Sequence, residues 1–438
     1  MRPKLEILCG HALDVMRTMP DNSVHCVVTS PPYWGLRDYG TEPQIWGGRP
    51  DCEHEWGIWE EYHDEREKII KGKSRTSDRS YGGDSTRRFS GNHQRHLAGT
   101  FCLHCGAWLG ELGQEPDPML YVAHIVEVFR EIHRVLRPDG TVWLNIADCY
   151  AGAGDHRGGK GNEREQRKKI STPAAGIGLE PKNMVGIPWM LALAFQGRMV
   201  VPVDVLRSLI DGEHRDFLND IVAYSLPKPF ILRNDIIWEK KNVLPESVKD
   251  RPTRCHEYIF LFSKSQRYWY DADAIREPYV IDFLARTVRG HSSRHKYVDG
   301  PKNQTIFTDM SGECSLPLGR NARDVWAINT KPFSEAHFAV FPVDLAKRMI
   351  LAGCPAKVCP KCGTPWEPDN TRPGCSCSLS DQSWVPGTVL DPFCGAGTVL
   401  LAAGELGRNA IGIEIKPEFV EMTRKRITAV SAQERFFV

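Results

Sequence analysis

Short apolar segments alternate with amphipathic segments through most of the chain. Near the start, apolar runs at 5–8 and Val24–Thr29 have the length of strands, and Ala12–Thr18 between them has the spacing of a short helix. Apolar residues recur at intervals of three and four from 119 to 136, which predicts an amphipathic helix, and 141–147 predicts the next buried strand. Helices that alternate with buried strands indicate an α/β fold.

The tetrapeptide Arg-Pro-Asp-Gly at 137–140 predicts a turn between that helix and that strand, because proline and glycine interrupt regular structure. Helix and strand patterning continues at 189–195, 235–238 and 258–263. It returns after Phe341, with helices predicted at 343–351, 398–406 and 417–427 and strands at 388–390 and 410–415. The fold class expected is α/β, with a mostly parallel twisted sheet and helices on both faces.

Three segments interrupt this patterning. Residues 51–110 are rich in Cys, His, Gly, Arg and Ser, and are expected to be too polar to build a core of their own. Residues 271–335 are polar and weakly periodic, and 354–380 are rich in cysteine. The chain is therefore divided into a first half of the main domain, an insertion, a continuation of the domain, a polar region and a last half of the domain, at 1–50, 51–110, 111–270, 271–335 and 336–438.

The composition is that of an ordinary globular protein, with 25% charged and 41% hydrophobic residues among 438 and a net charge of +1. Overall charge therefore does not point to nucleic acid, and any such surface must come from local clusters of Lys and Arg. No apolar run has the length of a signal peptide or a membrane span, so a cytoplasmic protein is expected. The 14 cysteines then favour metal sites over disulfides.

Two groups of residues have the spacing of metal ligands. The first group comprises two pairs that can close a tetrahedral site, Cys359, Cys362, Cys375 and Cys377. The second spans a long polar stretch and comprises Cys52, His54, Cys102 and Cys105, with His104 as an alternative to His54. Both are predicted to be structural Zn²⁺ sites, because four protein ligands leave no open coordination position, and ordinary unpaired thiols are the alternative.

A glycine-containing turn follows the strand predicted at 388–390 and opens a helix. Its sequence is Asp-Pro-Phe-Cys-Gly-Ala-Gly-Thr, in which glycines let the backbone approach a ligand closely. An acidic residue ends the next strand, where it can accept hydrogen bonds from both hydroxyls of a ribose. The pattern predicts a nucleoside-cofactor site, with a tight turn and a solvated Glu as the alternative. The candidate cofactor-binding residues are Asp391, Phe393, Gly395, Gly397, Thr398 and Glu414.

The strand Val24–Thr29 runs directly into Ser30, Pro31, Pro32 and Tyr33. The two prolines stop the strand and make a rigid corner. The Ser30 hydroxyl and the Pro31 carbonyl are acceptors suited to the NH₂ of a base, whose lone pair is conjugated into the ring until the nitrogen pyramidalises. Tyr33 offers a stacking face for a base rotated out of a duplex. A proline-rich turn with buried aromatic residues is the alternative.

Together the two motifs resemble those of the DNA amino-methyltransferases, which methylate N4 of cytosine or N6 of adenine. The catalytic motif precedes the cofactor motif, as in the circularly permuted group called beta, and the similarity extends through 7–19, 128–148, 336–351 and 411–426. The resemblance implies a Rossmann-like methyltransferase fold and direct methyl transfer from S-adenosylmethionine to a flipped-out base of double-stranded DNA. It makes 1–50 the catalytic half, 336–438 the cofactor-binding half and 271–335 the target-recognition region. Because 29–40 resembles a subgroup common in phages and bacterial restriction-modification systems, a cognate restriction endonuclease is a candidate partner, and an enzyme without one is the alternative.

One position departs from the family pattern. The family usually has Gly-Asp where this chain has Gly10 and His11, and that acid is thought to help hold the adenosine end of the cofactor. Asp14, one helical turn further on, is a candidate substitute.

The resemblance also bears on the base that is methylated. Ser30 at the first position of the tetrapeptide favours cytosine N4, and adenine N6 is the alternative. Cytosine C5 chemistry is disfavoured, because the family that performs it uses a Pro-Cys dipeptide, which this chain lacks.

Other classes of protein stay open as alternatives. A metal-dependent nuclease is disfavoured, because the acids of 235–241 are too close in sequence, and that segment is interpreted as the edge of a strand. A non-catalytic zinc-containing DNA-binding protein would leave both motifs unused. An RNA or protein amino-methyltransferase would share them.

Basic residues in the polar region are expected to contact DNA: Arg289, Arg294 and Lys296. The basic stretches 157–169 and 66–95 are further candidates, with solvated loops as the alternative.

Reversing the charge of Arg289, Arg294 and Lys296 to Glu is expected to weaken DNA binding and to flatten its salt dependence, because each phosphate contact releases counterions. The slope of log affinity against log salt should fall by up to about 1 for each residue that contacts a phosphate. Titrations over a series of KCl concentrations measure both quantities, and unaltered affinity and slope would reject the assignment.

Overall fold

The computed structural model describes residues 3–36, 39–57, 100–151, 179–198, 226, 228–243, 245–278, 319–330, 341–368, 374–377 and 384–433. The strands are β1 (Leu5–Cys9), β2 (Val24–Thr29), β3 (Gln44–Trp46), β4 (Trp56–Gly57), β5 (Thr100–Cys102), β6 (Trp108–Gly110), β7 (Leu136–Ile146), β8 (Ile231–Glu239), β9 (His256–Ser263), β10 (Val325–Ala327), β11 (Thr388–Asp391) and β12 (Asn409–Glu414). The helices are α1 (Ala12–Thr18), α2 (Pro118–Val135), α3 (Ile187–Phe195), α4 (Val343–Gly353), α5 (Thr398–Glu405) and α6 (Pro417–Gln433).

An eight-stranded sheet organises these elements, in the order β1-β12-β11-β2-β7-β9-β8-β10. Strand β9 is antiparallel to both of its neighbours, and every other pair in this sheet is parallel. The mostly parallel sheet expected from the hydrophobic pattern is therefore confirmed, and the observed strands and helices lie close to the expected ones.

Strand β2 is buried along its whole length because helices cover both faces of the sheet. Val27 packs in a core that includes residues of α1, α2 and α3. Cys26 and Val28 point to the other face, into a core that includes residues of α4 and α5. The continuous apolar run at 24–29 is the consequence of this two-sided burial.

A second, four-stranded antiparallel sheet was not expected from the sequence. Its order is β3-β6-β5-β4, so it joins residues 44–46 to both ends of the segment 51–110. Trp46, Phe101 and Trp108 are at most 2% exposed and pack into the same core as α2. The described part of this insertion therefore shares the core of the main domain.

The turn expected at 137–140 is wrong. β7 begins at Leu136, directly after α2, and the tetrapeptide forms a bulge where β7 pairs with β2. Arg137 donates two hydrogen bonds of 2.9 Å to the Asp139 carboxylate, which satisfies both side chains without a turn. Gly140 is required here, since a Cβ would lie 2.6 Å from Cδ1 of Leu136.

The strand edge expected at 235–241 is also wrong. Strand β8 pairs with β9 on one side and with β10 on the other, so its last residues are not at the margin of the sheet. The covering strand β10 comes from the polar region 271–335, which the hydrophobic pattern left without strands. Among the described residues, no helix combines the length and apolar character needed to cross a membrane.

Candidate active site

The two sequence motifs lie side by side at one edge of the large sheet. Strands β2 and β11 are parallel neighbours, so the segments that follow them leave the sheet at the same edge. The Thr29 hydroxyl at the end of β2 donates a hydrogen bond of 2.8 Å to Oδ1 of Asp391 at the end of β11. This bond is buried and links the diproline corner directly to the glycine turn.

A cavity of about 510 Å³ opens where these segments meet. Its walls come from the carboxyl ends of β1, β2, β7, β8, β11 and β12 and from the start of β9. The residues that the sequence motifs identified and that line this cavity are Ser30, Pro31, Pro32, Tyr33, Asp391, Phe393, Gly395, Thr398 and Glu414.

Gly397 lies behind the cavity wall rather than in it. It has a φ of +77° and forms the N-cap of α5. A Cβ at this position would lie 2.5 Å from Cγ2 of Thr423 on α6. The second glycine of the motif is therefore needed to pack α6 against the turn.

Two carboxylates face the cavity from neighbouring strands. Asp391 is 2% exposed and accepts hydrogen bonds from Thr29 and from the Phe393 N–H, at 3.1 Å for the latter, and burial raises its pKa to about 7. Glu414 accepts from the N–H groups of Gly395 and Lys416 at 2.8 and 2.9 Å, and burial also raises its pKa. Both acids are thus held by backbone or hydroxyl donors, and neither forms an ion pair with a basic side chain within the part of the chain that the structure describes.

The diproline corner is fastened to α2. The Asp117 carboxylate caps this helix by accepting from the N–H groups of its first turn, and Tyr121 one turn later donates from its hydroxyl to the Pro32 carbonyl at 2.8 Å. Next to it, Trp34 Nε1 donates to the Glu115 carbonyl at 2.8 Å. These contacts fix the backbone of the corner and leave Ser30 and Pro31 at the cavity wall.

Tyr33 belongs to a polar network that sequence reasoning missed. Its hydroxyl accepts from Ser30 Oγ at 3.0 Å and lies 2.9 Å from Glu257 and 3.1 Å from Asn145. Lys240 forms an ion pair with Glu257, and these side chains line the cavity. Asn145, Glu257 and Lys240 come from β7, β9 and the end of β8, and no spacing in the sequence relates them to one another.

His11 stands where the family usually has an acid. It lines the cavity, its ring meets Trp46 edge-on at 4.7 Å, and burial lowers its pKa, which favours a neutral imidazole. Its Nε2 is buried with no hydrogen-bond partner in the part of the chain that the structure describes. Asp14 is not a substitute, because its side chain is 72% exposed, pairs with Arg17 and does not line the cavity.

The small sheet supplies one wall of the cavity. Gln44 and Trp46 of β3 line it, together with Leu112 just after β6. Behind this wall, the His124 ring lies stacked between Trp46 and Trp108, with centroid distances of 5.5 and 5.4 Å. The position of this cavity wall therefore depends on the packing of the small sheet against α2.

Both groups of possible metal ligands come together. In each group the four ligand atoms lie within 4.8 Å of one another, and His54 rather than His104 completes the second group, with Cys52, Cys102 and Cys105. His104 instead contacts Glu55 at 3.1 Å. The second group joins β5 to the segment before β4. The first group, Cys359 to Cys377, lies near the amino ends of β2 and β7, where Arg137 donates to the Cys362 carbonyl at 3.1 Å. Arg289, Arg294, Lys296 and the basic stretches 66–95 and 157–169 lie outside the described residues.

Known proteins are similar in sequence to this chain over most of its length. The model of a family described as DNA methylase, N6_N4_Mtase, matches residues 24–425. The type II methyltransferase M.SmaI of Serratia marcescens is 30% identical, over 96% of this chain and 90% of its own length. M.XycI of Xanthomonas campestris pv. cyanopsidis is 31% identical, over 95% of this chain and 86% of its own. Among solved structures, the cytosine-N4-specific PvuII DNA methyltransferase is 14% identical over 97% of this chain and 87% of its own, with a TM-score of 0.43.

Proposed function

The chain belongs to the N6/N4 DNA methylase family and is an S-adenosylmethionine-dependent DNA methyltransferase, and we propose that it methylates the exocyclic N4 amine of a flipped-out cytosine. The observation that carries the proposal is that Ser30 and Asp391 share one cavity at the ends of neighbouring strands. Ser30 at the first position of the tetrapeptide supports cytosine over adenine, as the family resemblance implies.

The methyl donor is proposed to lie against the glycine turn, where it supplies a methyl group activated by a positively charged sulfonium. Asp391 and Glu414 bring negative charge to this part of the cavity, and such charge acts strongly where water is excluded. Glu414 uses each oxygen once for a backbone N–H, which leaves lone pairs for ribose hydroxyls. Thr398 Oγ1 is buried without a partner among the described residues, which fits a polar ligand at the start of α5. Phe393 and Gly395 complete this wall.

The target amine is proposed to lie against the diproline corner. Since the Pro32 carbonyl is already bound by Tyr121, Ser30 Oγ and the Pro31 carbonyl are the acceptors left for the two N–H groups. Acceptors held in place before the reaction favour the pyramidal nitrogen over the flat one. The Tyr33 ring is proposed to stack on the base.

The two cysteine-containing groups are proposed to bind Zn²⁺. Three sulfurs with one imidazole, and four sulfurs, are donor sets typical of structural zinc. Residues 271–335 are proposed as the target-recognition region. The type II relatives support a further proposal, that the protein acts beside a restriction endonuclease of the same specificity.

Incubation with unmethylated genomic DNA and labelled S-adenosylmethionine is expected to yield N4-methylcytosine, identified by mass spectrometry of the digested nucleosides. In Ser30→Ala the rate of transfer should fall at least about 100-fold, the usual cost of losing one such polar contact, while the dissociation constant for the cofactor stays within about twofold. Ser23→Ala, whose hydroxyl is bonded to the Pro20 carbonyl outside the cavity, is the matched control.

The outcomes of this experiment separate the parts of the proposal. N6-methyladenine would replace the cytosine assignment, and no labelled DNA at all would reject the enzyme. Full activity in Ser30→Ala would remove the role given to Ser30.

Cofactor affinity is expected to rise between pH 6.0 and 7.5. With its pKa raised to about 7 by burial, Asp391 is mostly protonated at pH 6, whereas a bound cation favours the carboxylate. Each pH unit below the pKa should therefore weaken binding up to about tenfold. Isothermal titration of S-adenosylmethionine measures this, with the exposed Asp14→Asn as control, and a pH dependence that survives in Asp391→Asn would contradict the assignment.

Elemental analysis of the purified protein is expected to find two zinc ions per chain. Cys102→Ser should lose one zinc and weaken cofactor binding by at least about tenfold, or ~1.4 kcal/mol, because the small sheet forms a cavity wall. Cys377→Ser should lose the other zinc with little change in affinity, because its group lies at the opposite edge of the sheet. Cys255→Ser, an exposed cysteine outside both groups, should retain both ions. Full zinc content in Cys102→Ser would refute the site formed by Cys52, His54, Cys102 and Cys105.

A further inference from the structure

Side chains from four strand ends converge beside Ser30 at the cavity wall. Glu257 is the centre of this group: its Oε2 lies 2.9 Å from the Tyr33 hydroxyl and 3.0 Å from Asn145 Nδ2, and its Oε1 accepts from Lys240. The side chains of Glu257 and Lys240 are only 13% and 20% exposed. Removing two charges from water to this extent is unfavourable unless their partners compensate for it, so the pair needs an explanation beyond stability.

The hydrogen bonds of this group have a defined direction. Asn145 Nδ2 donates to Glu257 and, at 3.1 Å, to the Tyr258 carbonyl. If the amide were turned over, its oxygen would lie against these two acceptors and neither hydrogen bond could form. Tyr33 has a single proton to donate, and the Glu257 carboxylate is both nearer than Asn145 and charged, which makes it the stronger acceptor. Burial and the charge of Glu257 raise the pKa of Tyr33, so its hydroxyl stays protonated.

This direction determines what Ser30 can do. Because the Tyr33 proton points to Glu257, the Tyr33 oxygen accepts the proton of Ser30, at 3.0 Å. Ser30 has one hydroxyl proton, and with it committed to Tyr33, only lone pairs remain on the cavity side. An amine N–H in the cavity therefore meets an acceptor at Ser30. The Ser30 hydroxyl does not turn its own proton towards the amine, because Tyr33 already accepts that proton.

We propose that Glu257 is a positioning residue for methyl transfer, which acts through Tyr33 to hold Ser30 as an acceptor and to take up the proton that the amine releases. The inference rests on the proposed function. As the nitrogen–carbon bond forms and the carbon–sulfur bond breaks, the electron pair of the latter stays on sulfur and the nitrogen becomes cationic. Its proton passes to Ser30 Oγ, the Ser30 proton to Tyr33 and the Tyr33 proton to Glu257 Oε2, which becomes a neutral acid and later returns the proton to water.

Lys240 has a supporting part in this arrangement. It lies against the other oxygen of Glu257 and 4.5 Å from the centre of the Trp238 ring, so it is held between an anion and an aromatic face. Its charge balances the carboxylate in the resting state, while leaving Oε2 to Tyr33.

The test is single-turnover methyl transfer to unmethylated genomic DNA by the full-length protein. Glu257→Gln keeps the shape of the side chain but cannot take up the proton, and its rate is expected to fall at least about 100-fold, within the usual range for general base catalysis. The dissociation constants for S-adenosylmethionine and for DNA should stay within about twofold, so the loss appears in the chemical step alone. Glu239→Gln, the same change on a half-buried strand residue nearby and outside the cavity, should leave the rate unaltered.

A double-mutant cycle distinguishes a continuous series of hydrogen bonds from Ser30 through Tyr33 to Glu257 from contacts that act independently. Tyr33→Phe retains the ring but interrupts this series of hydrogen bonds, so its methyl-transfer rate should fall about as far as that of Glu257→Gln. The double variant Tyr33→Phe with Glu257→Gln should be no more than about threefold slower than the slower single variant. Should Glu257→Gln fail to fold, a rate for Tyr33→Phe within threefold of wild type would still overturn the proposal. So would a near-normal rate in Glu257→Gln, or losses that multiply. If wild-type protein transfers no methyl group to DNA, the proposed function itself has failed.

Discussion

The parallel pairing of β2 with β11 brings together two segments that lie 362 residues apart. Neighbouring parallel strands deliver their carboxyl ends to the same edge of a sheet, so the corner after β2 and the turn after β11 have to meet. The buried bond from Thr29 to Asp391 then fixes their spacing. The cavity, the position of Ser30 and the wall around the proposed methyl donor all depend on this one contact between strands.

The charges at this edge explain why the cavity favours a cationic ligand. Asp391 is buried and Glu414 is partly buried, and their contacts come from hydroxyl or backbone donors, which stabilise the carboxylates less than a full ion pair would. Their raised pKa values express this incomplete stabilisation. A positively charged ligand, such as the proposed methyl donor, would complete the stabilisation of these carboxylates, which would favour its binding. Near Ser30, Glu257 already has Lys240 as its partner, which is consistent with the proposal that its charge orients the hydrogen bonds of Tyr33 and Ser30.

The small antiparallel sheet does more than attach an insertion to the surface. Trp46, Trp108 and Phe101 are part of the main core, and Trp46 also forms part of the cavity wall against His11. An imidazole at position 11 suits this aromatic neighbour, because its neutral ring can pack on Trp46 where a carboxylate would lose hydration. The departure from the family pattern at this position is thus matched by the structure around it.

The sequence by itself determined the alternating helices and strands and the parallel character of the sheet through its hydrophobic pattern, because two-sided burial leaves long apolar runs. It determined the two motifs through residue identity, because Pro and Gly have few conformational substitutes. It did not reveal the small sheet, whose two- and three-residue strands are too short to show a period, or the bulge at 137–140, which depends on pairing with β2. It also placed Gly397 at the ligand, whereas packing against Thr423 accounts for that glycine. Asn145, Lys240 and Glu257 are invisible to motif reading, because only the lateral order of β2, β7, β9 and β8 brings their separate strand ends into contact.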